Sequence, residues 1–203
     1  MIYVCRLPEL PKQEPRQTVL CTHAAALRLL EEGLRREYGL CRDEIWYARG
    51  ENGKPYLAGQ PDIFFNITHC KGLIACVLAS APVGIDAEPI RARRESVEKR
   101  VFTPQEQRWM RESKCPDELF FRLWTLKESF VKAVGAGISY GLERVPIRME
   151  ASGALVCAAA DYTFEQRVLR GEYVVSVCRS VMPPSADRAG REAPDGTLQS
   201  RDR

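Results

Sequence analysis

The chain has 203 residues, 45% hydrophobic and 28% charged, with a formal net charge of +3; this is the composition of a folded protein, either one large domain or two small halves sharing a core. So small a positive excess gives no argument for nucleic-acid binding, although a local basic patch facing an anionic ligand stays open. No apolar run approaches a membrane span and no signal-peptide core precedes Pro8 and Pro11, so a cytoplasmic protein is expected.

In chain order, residues 2–5 read as a strand, and the three prolines of 7–17 exclude long regular structure there. A helix follows over about 19–38, with Leu27, Leu30 and Leu34 on one stripe and Gly39 as its C-terminal cap. Residues 45–48 read as a short strand, after which Asn52-Gly53 makes a turn that exposes Lys54. Strands are expected at 63–68 and 73–79, separated by His69-Cys70-Lys71-Gly72; Ser80-Ala81-Pro82 then turns the chain into 83–88, which ends a meander. The eight cysteines form no Cys-x-x-Cys pair and no zinc spacing, and read as small buried hydrophobes.

The stretch Val83-Gly84-Ile85-Asp86-Ala87-Glu88 alternates, so an extended strand turns Asp86 and Glu88 to the same face. Arg91, Arg93, Arg94, Lys99 and Arg100 form a basic segment that reads as a solvated face. Thr103-Pro104-Gln105-Glu106 is a helix start: an N-cap, proline at the first helical position, and a glutamate completing a capping box. The next helix runs from about Pro116 to Val134, where Gly135 and Gly137 stop it. Phe120, Leu123, Trp124 and Val131 make its core stripe, and Phe121, Thr125, Glu128 and Lys132 an adjacent stripe able to face a cleft. Glu128 and Lys132, one turn apart, add a third carboxylate and a cation to the Asp86/Glu88 pair. Three hard oxygen donors suit Mg²⁺, and the lysine can neutralise phosphate charge. Taken singly, each half of this set is more often a charged strand edge or a solvated ion pair. Antiparallel strands are expected at 154–159, 163–168 and 173–178, and the composition of 183–203 reads as a disordered tail. Helix followed by antiparallel strands in each half implies an α+β body with a cleft at the junction.

Gly53-Lys54-Pro55, Phe65-Asn66-Ile67-Thr68-His69, Gly84-Ile85-Asp86-Ala87-Glu88, Phe102-Thr103 with Glu106, and Trp124-Thr125-Leu126-Lys127-Glu128-Ser129-Phe130-Val131-Lys132 together resemble the Sfp-type 4′-phosphopantetheinyl transferases, in the order that family has them. The resemblance implies two similar α/β halves related by a pseudo-twofold axis, 1–83 and 84–182, with the active site in the cleft between them. It implies a monomer with neither nucleic-acid nor membrane partner. The implied reaction is Mg²⁺-dependent transfer of phosphopantetheine from coenzyme A to a serine of an apo acyl- or peptidyl-carrier protein, releasing adenosine 3′,5′-bisphosphate. By similarity Asp86, Glu88 and Glu128 hold Mg²⁺, Glu128 and Lys132 are catalytic, and Lys54, Thr68 and His69 bind coenzyme A. Members of this type carry a longer basic segment before the first helix, ending in an arginine that grips the 3′-phosphate. Here that segment is short and His23 lies near the arginine's place, which leaves Lys12, Arg16 or a residue from Arg91 to Arg94 as substitutes. The competing readings are a Mg²⁺-dependent nuclease or phosphodiesterase, and a degenerate homologue that binds coenzyme A or a carrier without catalysis.

Overall fold

The computed structural model describes residues 1–8, 15–50, 52–93 and 95–182. The chain begins with strand β1 (Ile2–Arg6), helix α1 (Pro15–Tyr38), a small hairpin of β2 (Tyr47–Arg49) and β3 (Pro55–Leu57), and a long hairpin of β4 (Phe64–Cys70) and β5 (Leu73–Ala79). It then makes the same passage again: strand β6 (Val83–Pro89), helices α2 (Glu95–Val101), α3 (Pro104–Glu112) and α4 (Pro116–Val134), a small hairpin of β7 (Ile147–Met149) and β8 (Leu155–Cys157), and a long hairpin of β9 (Tyr162–Leu169) and β10 (Tyr173–Ser180). The sheets repeat with it. In the first the order is β1-β5-β4, in the second β6-β10-β9, antiparallel throughout. The fold is α+β with two halves of one topology, α2 and α3 being inserted before the helix of the second.

Strand alternation explains the layering. Leu73, Ala75 and Val77 of β5, with Val83, Ile85 and Ala87 of β6 and Val175 and Val177 of β10, form one core between the two sheets. The opposite face of β5, Cys76 and Leu78, meets Leu30 and Leu34 of α1. Val174 and Cys178, on the other face of β10, pack beneath α4. The buried stripe of α1 is Ala26, Leu30 and Leu34, with Leu27 only partly covered; the helix also starts earlier than expected, because a proline in the first turn costs no hydrogen bond.

Two expectations are corrected. Strand β6 does not end a meander: it pairs with β10, and its other edge is met by β4, whose Asn66 Oδ1 accepts the Ile85 backbone N–H at 2.8 Å. A side chain takes the place of a ladder strand there, so the chain crosses from one sheet to the other at Ser80-Ala81-Pro82. The cysteines are not uniformly interior: Cys76 and Cys178 are buried, whereas Cys5, Cys21, Cys41 and Cys115 are exposed. No helix among the described residues is long and apolar enough to cross a membrane. The tail expected at 183–203 lies outside the described residues, as do Lys12, Arg94 and the side chain of Arg16.

One buried ion pair locks the helices of the second half. Thr103 caps α3 by accepting from the Glu106 N–H, and the Glu106 carboxylate accepts from the Thr103 N–H at 2.7 Å. The same carboxylate pairs with Lys127 of α4 at 2.8 Å, and the lysine, fully buried, donates also to the Leu142 carbonyl. Burial pushes the Lys127 ammonium down and Glu106 opposes the shift. Glu106→Ala is therefore expected to cost about 3 kcal/mol by leaving a buried charge alone, whereas Glu106→Leu combined with Lys127→Met should recover much of that loss. Urea melts of the variants check the order; a double variant weaker than both singles would overturn it.

Candidate active site

Gly84 has no side chain where α4 crosses β6, so the helix rests directly on the strand. That approach sets Lys132, in the last turn of α4, against Asp86: Nζ lies 2.6 Å from Oδ1 and 3.2 Å from the Ile85 carbonyl. Thr68 of β4 donates its hydroxyl to the same Oδ1 at 3.2 Å. Asp86 is 6% exposed, and its Oδ2 is buried with no hydrogen-bond partner. Burial raises the Asp86 pKa above the ordinary carboxylate range, against the opposing pull of Lys132 and then Thr68.

The other two carboxylates stand within electrostatic reach. Glu88 is raised by burial, opposed by a hydrogen bond from Arg91 at 2.9 Å. Glu128 is raised by burial first, then by the negative charge of Asp86, with Lys132 opposing and Glu88 adding to the rise. Their oxygens are not drawn into one tight cluster. Among the described residues, the three potential ligand side chains that come within 4.8 Å of one another are Cys41, Asp43 and Glu44, which are exposed. Asp86, Glu88 and Glu128 nonetheless fit a hard divalent cation: they offer only oxygen donors, burial disfavours their charge, and Asp86 Oδ2 lacks a partner. A cavity of about 340 Å³ opens beside Glu128, lined in part also by Asn66, Val131, Lys132 and Leu142.

The remaining sequence candidates are placed differently from what was expected. His69 and Cys70 belong to β4, so only Lys71 and Gly72 form the turn. Thr68 and His69 then alternate: Thr68 faces Asp86, while His69 stands exposed on the opposite face. Lys54 is not exposed by its turn; its ammonium is part-buried against backbone carbonyls of α4 and β6. Arg91, read from the sequence as part of a solvated face, is exposed, and it also ion-pairs Glu88 and lies 4.8 Å over the ring of Phe121; the i,i+3 spacing from Glu88 was the available signal for the pair. Sequence reasoning missed the polar chain under α4. Thr125 and Ser176 share a hydrogen bond of 2.6 Å, Gln166 Nε2 donates to Ser176 at 2.8 Å, and Arg122 Nε donates to Gln166 at 2.7 Å. These bonds hold α4 to β10 and β9, and only the place of Thr125 on the cleft-side stripe hinted at them.

Residues 82–178 match the sequence profile of the 4′-phosphopantetheinyl transferase superfamily. A 4′-phosphopantetheinyl transferase of Bacillus subtilis is 36% identical over 128 residues, which are 62% of this chain and 57% of that protein. The 4′-phosphopantetheinyl transferase Sfp of Bacillus subtilis strain 168 is 34% identical over the same shares, and HetI of a Nostoc species is 37% identical over 107 residues, 48% of this chain and 44% of its own. The chain thus spans about half the length of the curated relatives it matches. With the Asp86-x-Glu88 strand laid under the Glu128–Lys132 turn inside it, the segment 82–178 is similar to the 4′-phosphopantetheinyl transferase superfamily, and the chain resembles its Sfp-type members.

Proposed function

We propose that the protein transfers the 4′-phosphopantetheine moiety of coenzyme A to a serine hydroxyl of an apo acyl- or peptidyl-carrier protein, in a Mg²⁺-dependent reaction that releases adenosine 3′,5′-bisphosphate. The observation that carries the reading is Asp86: a buried carboxylate with one oxygen on Lys132 and the other without a partner, at the meeting of the two halves. A group that holds no core together and is costly to bury is retained for a ligand. In this reading the halves 1–83 and 84–182 act as one monomeric, cytoplasmic unit with coenzyme A between them.

Asp86, Glu88 and Glu128 would hold Mg²⁺, which when bound offsets the charge of the coenzyme A pyrophosphate and of the phosphoryl group under attack. The chain's own groups supply the rest. Lys132 presents a cation to the transferring phosphoryl oxygens and to the departing bisphosphate. Glu128, which lines the cavity together with Lys132, is the carboxylate that would accept the serine proton, directly or through a water. The serine Oγ forms a bond to the phosphorus that carries the pantetheine arm, and the bond from that phosphorus to the oxygen of adenosine 3′,5′-bisphosphate breaks. Thr68 orients Asp86 from β4, which ties the geometry of the acid to the first half.

The test is incubation of the protein with coenzyme A, Mg²⁺ and apo carriers of fatty-acid, polyketide and peptide synthesis, read by intact mass. A mass gain of one phosphopantetheine on a carrier, lost in excess chelator, is expected. Coenzyme A binding with no gain on any carrier would make the protein a non-catalytic binder, and Mg²⁺-dependent cleavage of nucleic acid without any gain would make it a phosphodiesterase.

A further inference from the structure

The last carbonyls of an α-helix have no intrahelical donors, and they carry the negative end of the helix dipole. Helix α4 ends at Val134, with Gly135 in the left-handed region at φ 75° and its N–H returned to the Val131 carbonyl at 2.9 Å. The carbonyls that follow are met from the first half of the chain, by the turn between β2 and β3. Lys54 Nζ donates to the Lys132 carbonyl in a short hydrogen bond, lies 3.4 Å from the Ala133 carbonyl, and donates at 2.9 Å to the carbonyl of Val83, the first residue of β6. Asn52 Nδ2 donates at 2.9 Å to the Gly135 carbonyl. The turn that presents them is itself braced: Gly53 N–H donates to Gly50, Gly50 N–H to Lys54, and Arg49 Nη1 to Gly53. Gly53 sits at φ 76°, a conformation that glycine adopts without strain.

One ammonium therefore joins the backbone of Lys132 to the start of the strand that carries Asp86. An ammonium has three N–H bonds, and the partners of this one include three backbone carbonyls. Cavities of about 510 and 340 Å³ lie on the two sides of this contact, and both are lined by Asn52, Lys54, Pro55 and Gly135.

We propose that Lys54 is a positioning residue: with Asn52 it caps α4 from the first half and so fixes the distance between Lys132 and Asp86, rather than gripping nucleotide phosphate with its ammonium. The inference deepens the transfer reading proposed above, and the clamp itself can be tested without it. Cation and helix terminus attract wherever they meet, but a cap supplied across the junction of the halves makes site geometry depend on the halves staying together. Lys54 meets Lys132 at its backbone carbonyl, so the clamp holds the root of the lysine while its ammonium keeps its contacts with Asp86 and the Ile85 carbonyl.

The experiment compares Lys54→Met, which keeps the stem and removes the charge, with Lys54→Arg and Asn52→Ala. Hydrogen exchange of the amides near 131–137 in the metal-free protein reads the clamp directly. Lys54→Met should speed exchange there by about tenfold or more, Asn52→Ala by less, and Lys54→Arg should restore part of the protection. With coenzyme A and an accepted carrier, Lys54→Met should lower kcat by about tenfold or more while KM for coenzyme A moves less than about threefold. Placed on top of Lys132→Ala, the same change should cost little further, because the group it positions is gone. Unchanged exchange in Lys54→Met, or a raised KM with kcat kept, would overturn the proposal and return Lys54 to coenzyme A binding. If Lys54→Met does not fold, the same exchange comparison on Asn52→Ala and Lys54→Arg decides: faster exchange in either supports the clamp, and wild-type exchange in both overturns it. Faster exchange together with a wild-type protein that transfers nothing would leave the clamp standing and remove only the transferase reading.

Discussion

Gly84→Ala is expected to leave little or no folded protein at room temperature. A Cβ at this position would stand 2.1 Å from the Ser129 carbonyl oxygen, 2.4 Å from the Ala133 nitrogen and 2.8 Å from Lys132 Cβ. Two of these are backbone atoms of α4, so no rotamer change relieves the clash and the helix must lift from β6. The helix carries Leu123, Leu126, Phe130 and Val131 of two core clusters, and lifting it opens both. Overpacking in an interior commonly costs 1–3 kcal/mol; with rigid backbone on the other side, about 5 kcal/mol or more is expected here, comparable with the whole stability of many domains. The cause is space rather than backbone conformation, since the left-handed glycines of the chain include Gly59 and not Gly84. Gly59→Ala, at φ 75° with nothing within 4 Å of the added carbon, is the matched control and should cost only about 1 kcal/mol. Thermal and urea melts of the two variants check this. A Gly84→Ala protein that melts within a few degrees of wild type would mean that α4 does not rest on β6 as described.

The particular residues show where sequence reading reached and where it stopped. The capping box of Thr103 and Glu106 and the stop at Gly135 were legible because each is settled within a few residues. The second role of Glu106, under Lys127, was not, because nothing local distinguishes a lysine that will be fully buried from one that will face a cleft five residues on. Asp86 and Glu88 were legible as a pair from alternation alone. The sheet they belong to was misread, since the partner of β6 is β10, at the far end of the described chain, and antiparallel pairing between distant strands leaves no local pattern. Lys54 makes the same point at the site. Its Asn-Gly turn is plain in the sequence, but the carbonyls that take its ammonium lie as far as 79 residues away, so a turn lysine that would ordinarily be solvated is part-buried. The repeat of strand, helix and two hairpins is clear in topology and faint in sequence, because packing preserves order and alternation with very different side chains.

Glu128→Gln and Lys132→Ala, one helical turn apart, should both reduce turnover by roughly 10²-fold or more, yet move the metal-free protein in opposite directions. Glu128 is raised by burial and by the charge of Asp86, so the metal-free folded state binds its proton more tightly than the unfolded chain does. The sign follows: this carboxylate lowers stability as pH rises from the ordinary glutamate range through its raised folded value, and the penalty is complete above that value. Glu128→Gln removes it. The metal-free variant should melt about 2–4 °C above wild type at neutral pH, if about 1 kcal/mol is recovered, and the advantage should vanish below the ordinary glutamate pKa. Lys132→Ala instead leaves the buried Asp86 Oδ1 with only the Thr68 hydroxyl and should lower metal-free stability by about 2 kcal/mol. The Mg²⁺ requirement separates them again: Glu128→Gln loses a ligand charge and should need more Mg²⁺ for half-maximal rate, whereas Lys132→Ala removes a competitor for Asp86 and should need the same or less. Melting curves in chelator across pH, with Mg²⁺ titrations of initial rate for wild type and both variants, measure all of this. An exposed ion pair of no catalytic consequence would leave both turnovers at the wild-type value and both stabilities within about 1 kcal/mol of it; equal shifts in Mg²⁺ requirement would defeat the assignment of ligand to Glu128 and cation to Lys132.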